Sequence, residues 1–145
     1  MEQIFDIIRR KYVAKTPEEE VRQHTILLLN QQFNYPITRF SVESQINVGK
    51  TIKRYDIIVR DEQQKPFMLV ECKAPNVSIS EKTLSQALAY NIELKAKYIL
   101  ITNGNTTLLF RITKNGVIQQ KTIPQLKLLL SGKTQNIAIC CPEAQ

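Results

Sequence analysis

Apolar and polar residues alternate at Phe40, Val42, Ser44, Ile46 and Val48, the period of two expected of a half-buried strand. Two more apolar stretches, over residues 52–60 and 66–73, predict further strands, and the hydrophilic link Asp61-Glu62-Gln63-Gln64-Lys65 between them suits a hairpin. A fourth strand over 98–102 and a fifth over 107–112 flank Asn103-Gly104-Asn105, where Asn-Gly between apolar runs is a strong hairpin signal. Helical signals lie between and before these strands. Thr16-Pro17-Glu18-Glu19 combines a capping threonine, a proline in the first turn and an acid three residues after the cap. That helix is expected to run to about residue 32, burying Val21, Ile26, Leu28 and Leu29, and to end at Phe33-Asn34-Tyr35-Pro36. A second begins at Ser80-Glu81-Lys82, after Ala74-Pro75-Asn76 has broken the third strand, and reaches about residue 96. Residues 2–11 read as a short amphipathic helix bearing Ile4, Phe5, Ile7 and Ile8. Beyond residue 113 the pattern weakens: a short helix is expected from Ile123-Pro124-Gln125 and an edge strand over 136–141. No repeat or linker divides the chain. The expectation is one α/β domain over residues 1–145, a central mixed β-sheet flanked by α-helices.

The composition fits that picture. A chain of 145 residues with 43% hydrophobic and 23% charged residues can bury an ordinary core. Its apolar runs are too short to span a membrane, and its first residues lack the oily segment of a secretion signal, so a cytoplasmic location is expected. Twenty basic against thirteen acidic residues leave a formal charge of +7, which suits a polyanionic partner. Three cysteines make no disulfide framework, and Cys140 and Cys141 lack the paired spacing of a zinc site. Cys72 is expected to be a buried free thiol. The single histidine, His24, argues against a histidine-rich metal centre.

Chemistry concentrates where polar residues interrupt the two strands joined by the hydrophilic link. Asp56 opens the run Asp56-Ile57-Ile58-Val59, and Glu71-Cys72-Lys73 closes Phe67-Met68-Leu69-Val70. If the turn is centred between Gln63 and Gln64, residues whose numbers add to 127 face each other, and Asp56 meets Glu71. Their Cβ atoms would then lie on the order of 5 Å apart. Two carboxylates that close repel unless one is protonated or a cation intervenes. Strand alternation sends Lys73 to the face of Glu71 and Cys72 to the other. Mg²⁺ suits such a place: it prefers carboxylate oxygens, keeps several waters and needs few protein ligands. Asp56, Glu71 and the backbone carbonyl of Cys72 are the candidate metal ligands. With Lys73 beside them, the chemistry expected is metal-assisted phosphodiester hydrolysis without a covalent intermediate.

This acid, acid and lysine set resembles the PD-(D/E)xK nuclease superfamily. Thr16-Pro17-Glu18-Glu19-Glu20-Val21-Arg22-Gln23, Arg54-Tyr55-Asp56-Ile57-Ile58-Val59, Leu69-Val70-Glu71-Cys72-Lys73-Ala74-Pro75 and Gln86-Ala87-Leu88-Ala89-Tyr90, in that order, are similar to the amino-terminal nuclease domain of type I restriction enzyme R subunits. The likeness covers roughly residues 4–112, leaving 113–145 as a carboxyl-terminal extension. It implies a restriction-endonuclease-like core and a metal-dependent endonuclease, with Mg²⁺ or Mn²⁺ as cofactor and DNA as partner. It also implies the other subunits of a restriction complex, or a second copy of the chain, as partners. Asp56 and Glu71 match the family's metal ligands and Lys73 its catalytic lysine. Glu19 matches the first-helix acid, with Glu18 and Glu20 as rivals. Gln86 and Tyr90 match the Gln-x-x-x-Tyr element, and their i, i+4 spacing puts them on one helix face, to meet DNA or steady the site.

Family R subunits carry an ATP-driven translocase, which these 145 residues do not contain. Gly49-Lys50-Thr51 and Gly132-Lys133-Thr134 end like a phosphate-binding loop, but the glycine needed five places earlier is Ser44 or Lys127, so no nucleotide is expected to bind. Cleavage would then proceed without a motor in this chain. The rival expectation is a catalytically inactive nucleic-acid-binding or complex-assembly module of the same fold.

Overall fold

A computed structural model describes residues 2–48, 50–126 and 139–140. Two helices are α1 (Pro17–Gln31) and α2 (Glu81–Leu94). Strands β1 (Gln3–Asp6) and β2 (Lys11–Ala14) precede α1. Then come β3 (Phe40–Val48), β4 (Thr51–Arg60), β5 (Pro66–Cys72), β6 (Tyr98–Thr102), β7 (Thr107–Thr113) and β8 (Gly116–Gln120), which form one six-stranded sheet in that spatial order. Every neighbouring pair in the sheet is antiparallel except β5 and β6. Those two are joined through α2, as a parallel pair requires a crossover connection. The mixed sheet flanked by helices is the architecture the pattern predicts.

The helices take opposite faces. Val21, Ile26 and Leu29 of α1 pack with Ile57, Val59, Met68, Val70 and Cys72. Ala87 and Leu94 of α2 pack with Tyr55, Ile58, Leu69, Ile99 and Ile101. Thr16 caps α1, its hydroxyl accepting the Glu19 amide at 3.0 Å, with Pro17 in the first turn. Lys95 closes α2 in a left-handed conformation, and the Asn91 side chain holds both the amide and the carbonyl of Ala96. No helix among the described residues is long and apolar enough to cross a membrane.

The segment expected as an amphipathic helix over 2–11 is instead the β1–β2 hairpin, with Gln3 opposite Ala14 and Phe5 opposite Tyr12. Asp6 decides this. Fully buried, its carboxylate accepts the amides of Ile8 and Arg9, an Asx turn that competes with helix. Phe5 and Tyr12 stack edge to face across the ladder, their ring centroids 5.2 Å apart. A second difference is β8, whose largely exposed residues carry no hydrophobic pattern for the sequence to display. Near Ile123 the chain is extended rather than helical: Thr122–Ile123 (β9) pairs with Ile139–Cys140 (β10), within the edge strand expected over 136–141. The remainder of that strand, and any helix past residue 126, lie outside the described residues.

One feature of the sheet bears on the site. The β3–β4 ladder runs from Phe40 opposite Val59 to Val48 opposite Thr51, but β5 pairs only with β4 residues Ile57 to Arg60. The distal half of β3–β4 is therefore a two-stranded ribbon continuing past the end of β5.

Candidate active site

The register between β4 and β5 sets the centre of the site. Ile57 faces Val70, Ile58 faces Leu69 and Val59 faces Met68. Extended by one step beyond the last pair, this register would set Asp56 opposite Glu71. There the backbone ladder gives way to a side chain: Oδ2 of Asp56 accepts the amide of Cys72 at 2.9 Å. On the other side, Val42 faces Ile57 and Ser44 faces Tyr55, so the position opposite Asp56 on β3 is Glu43. Glu43 has φ 49°, a left-handed conformation that is strained for a side-chain-bearing residue, and it drops out of the ladder. Three acids, Glu43, Asp56 and Glu71, thus lie side by side across three strands.

Their charges are handled differently. Arg22, buried on α1, is within 3.2 Å of Glu43 Oε1 and Glu19 Oε1, and 3.5 Å from Asp56 Oδ1. The last is an ion pair rather than a well-formed hydrogen bond. Arg9, from the β1–β2 turn, reaches the other oxygen of Glu43 at 3.0 Å and Glu19 at 3.3 Å. Glu71 has no such arginine. Its side chain is buried and its Oε1 has no hydrogen-bond partner among the described residues. Burial first, and then the neighbouring charge of Asp56, push its carboxyl up to about 8, against the opposing charge of Lys73. Lys73 follows directly, its amide donating to the Thr102 carbonyl at 2.8 Å and so fixing it where β5 ends beside β6. Cys72 is a buried free thiol in the α1-side core, as expected, and burial pushes its pKa up.

The three consecutive acids of the first helical turn diverge, since successive helix positions are about 100° apart. Glu19 turns into the arginine network, held by Arg9, Arg22 and the Gln23 amide at 3.1 Å. Glu20 pairs with Lys15 at 3.6 Å. Glu18, half-buried, shares the field of Asp56, Lys73 and Glu71. Burial and then the Asp56 charge raise its pKa, with Arg22 and Lys73 opposing. A polar cavity of about 330 Å³ lies between Arg9, Thr16, Glu18, Glu19, Arg22 and Glu43.

On the opposite face, the Tyr55 hydroxyl donates to the Tyr90 carbonyl at 2.9 Å, and the two rings meet edge to face at 6.1 Å. Tyr90 therefore braces the residue adjacent to Asp56. One turn earlier on α2, Gln86 is exposed, and its side chain makes no hydrogen bond among the described residues. The structure thus gathers Asp56, Glu71, Lys73 and Glu18, with Tyr90 behind them, while Glu19 is committed to arginines.

Arg9, Arg22 and Glu43 were not among the candidate site residues of the sequence. Arg22 left a trace: with Ile26 and Leu29 it occupies the buried stripe of α1, and a cation in such a stripe needs acids around it. Glu43 left none, because a strand acid reads as solvent-facing and backbone handedness is not written in the pattern.

Comparison with known proteins adds lineage to geometry. Residues 17–126 match the family model described as type I restriction enzyme R protein N terminus (HSDR_N). Among solved structures, the chain is similar to a fragment described as an HsdR subunit of a type I restriction enzyme from Vibrio vulnificus YJ016, with 21% identity and a TM-score of 0.50. That match covers 70% of this chain and 22% of the other, so the chain spans under a quarter of that fragment's length. It is also similar to a protein described as a DUF820 nuclease from Anabaena variabilis ATCC 29413, with 13% identity, a TM-score of 0.48, and coverage of 79% of this chain and 76% of that one. No curated protein matches the chain.

Proposed function

The chain belongs to the family of type I restriction enzyme R protein N termini and has a restriction-endonuclease-like fold, and from that premise we propose that it is a metal-dependent endonuclease hydrolysing DNA phosphodiester bonds. The observation that carries this reading is the convergence of Asp56, Glu71, Lys73 and Glu18 where β4 parts from β5.

The residues fit a divalent cation. Glu71 is a buried carboxyl with a partnerless oxygen, and the carboxylate of Asp56 is its register neighbour. The charge missing there is positive. Among the described residues no three His, Cys, Asp or Glu side chains form a metal-holding group, but Mg²⁺ binds through one or two carboxylates with waters and substrate phosphate. Asp56 and Glu71 would hold it, with the Cys72 carbonyl as a further oxygen. When bound, the ion acidifies a water and offsets charge on the leaving oxygen.

The chain's own groups do the rest. The Cys72 amide fixes one oxygen of Asp56, and the other ion-pairs with Arg22 at 3.5 Å. Lys73 orients the attacking water and stabilises charge building on the phosphate. Glu18, not Glu19, is the helix acid of the site in this reading, because its carboxylate shares the field of Asp56 and Lys73 while Glu19 neutralises Arg9 and Arg22. Tyr90 steadies the Tyr55–Asp56 step, and Gln86, exposed beside it, is placed to meet substrate backbone. DNA, the other subunits of a restriction complex and a second copy of the chain are the partners this reading implies.

Plasmid cleavage with Mg²⁺ or Mn²⁺ tests the proposal. Nicking by the wild type that disappears in Asp56→Ala and Lys73→Ala supports it; nicking that survives both rejects the site. A protein that holds DNA equally well with and without metal and never nicks it would be a binding module instead.

A further inference from the structure

The β3–β4 ribbon continues past the site, and its composition is one-sided. From residue 44 to residue 55 there is no Asp or Glu, while Lys50, Lys53 and Arg54 supply three cations. Of these, Lys50 and Arg54 are exposed, as are Gln45, Thr51 and Ile52, the last to 64%. Gln45 pairs with Arg54, so both lie on one face of the ribbon. Strand alternation puts Ile52 on the side of Arg54, and Asp56 follows two residues after Arg54 on the same strand. The exposed basic face thus runs along a single strand into the carboxylate at the centre of the site. Among the described residues the ribbon has no third strand on the sheet side, because β5 begins to pair only at Ile57.

We propose that this ribbon is the element that docks double-stranded DNA beside the active site, with Lys50 and Arg54 on phosphates and the Ile52 region entering the major groove. Charge complementarity names the partner: an acid-free, cationic stretch matches a polyanion. Shape narrows it. A two-stranded β-ribbon fits the major groove of B-form DNA, whereas the deep, narrow major groove of A-form RNA excludes side chains. An exposed isoleucine flanked by cations suits contact with thymine methyl groups and sugars rather than solvent. The proposal rests on the nuclease reading for its substrate, and it assigns a different surface to recognition than to chemistry.

The test is duplex binding by the full chain in EDTA, where cleavage plays no part. The probe is a fluorescent DNA duplex of about two helical turns, titrated at several salt concentrations. Lys50→Gln with Arg54→Gln is expected to weaken binding by about tenfold or more and to lower the slope of log affinity against log salt by about 2. Lys95→Gln with Lys97→Gln, exposed at the far end of the sheet, is expected to bind as wild type does. Amide exchange on the unmodified protein gives a second readout: DNA is expected to protect residues 44–55. Unchanged affinity and slope in the ribbon variant, protection elsewhere with the ribbon unaffected, or equal binding of duplex RNA through the ribbon would each overturn the proposal. Loss of binding in the ribbon variant of a chain that never cleaves would leave it standing while removing the nuclease reading, and the converse pattern would separate the two the other way.

Discussion

Asp56 takes its hydrogen bond from β5 through its carboxylate, Oδ2 accepting the Cys72 amide at 2.9 Å. A side chain replaces a backbone carbonyl at the last rung of the ladder, so the proposed metal ligand is also a structural residue. Asp56→Ala leaves the Cys72 amide without its acceptor and is expected to cost about 1–3 kcal/mol. Asp56→Asn keeps an acceptor oxygen and removes the charge, so it should unfold nearer the wild type while losing cleavage as completely. Urea unfolding of the two variants, read beside plasmid nicking, checks both halves. Equal stability of the alanine and asparagine forms would show that the amide bond contributes little.

Glu18 and Glu19 are neighbours in sequence with opposite surroundings, and their substitutions should separate. Glu18→Gln is expected to reduce cleavage about 10-fold or more with little change in melting temperature, since in the proposed site Glu18 would face substrate and act through the transition state. Glu19→Gln leaves buried Arg22 with one acid fewer and is expected to destabilise by about 1–3 kcal/mol. Kinetics and thermal melts on both variants decide the matter. A Glu19→Gln form that is stable but inactive would return the helix acid to Glu19.

The part of this design legible in the sequence is the part made by local pattern. The polar link Asp61 to Lys65 and the apolar runs beside it set the β4–β5 register, and the observed pairs Ile57–Val70 and Ile58–Leu69 follow it. Thr16 and Pro17 announced α1 for the same reason: a cap is a local hydrogen bond. The amino terminus was not legible, because Ile4, Phe5, Ile7 and Ile8 satisfy a short helix as well as a hairpin, and the buried Asp6 turn that decides between them depends on Arg9 and tertiary burial. Nor was the arginine network. Glu43 lies 21 residues from Arg22 and 34 from Arg9 in sequence, and the placing of α1 and the β1–β2 turn beside β3, not any motif, brings them together.

Glu71 gives the apo protein a pH dependence of definite sign. Its carboxyl is pushed up to about 8 by burial and by Asp56 from an ordinary value of 4.5. The folded state therefore holds the proton more tightly than the unfolded chain. The stability this provides is full below pH 4.5 and is lost as pH rises through 8, at no more than about 1.4 kcal/mol per pH unit. Glu71→Gln carries no such proton, so without metal its melting temperature should exceed that of wild type by a growing margin from pH 5 to pH 8. Parallel melting curves for the two proteins across that range would mean that Glu71 ionises as an exposed carboxylate does.

In the proposed site the same proton would couple metal binding to pH. A cation held by Asp56 and Glu71 needs both carboxylates ionised, so below pH 8 loading must expel the proton that Glu71 retains. Affinity for Mn²⁺ alone should accordingly tighten as pH rises from 6 to 8, approaching about tenfold per unit. Calorimetric titration in two buffers of different ionisation enthalpy should show close to one proton released per ion at the lower pH. Asp56→Asn removes half of the proposed site and a charge that, after burial, helps raise Glu71, and should bind Mn²⁺ far more weakly. Lys73→Met removes no metal ligand, so measurable Mn²⁺ binding should survive it while cleavage is abolished. Metal affinity independent of pH would dissociate the ion from Glu71 and reassign its ligands.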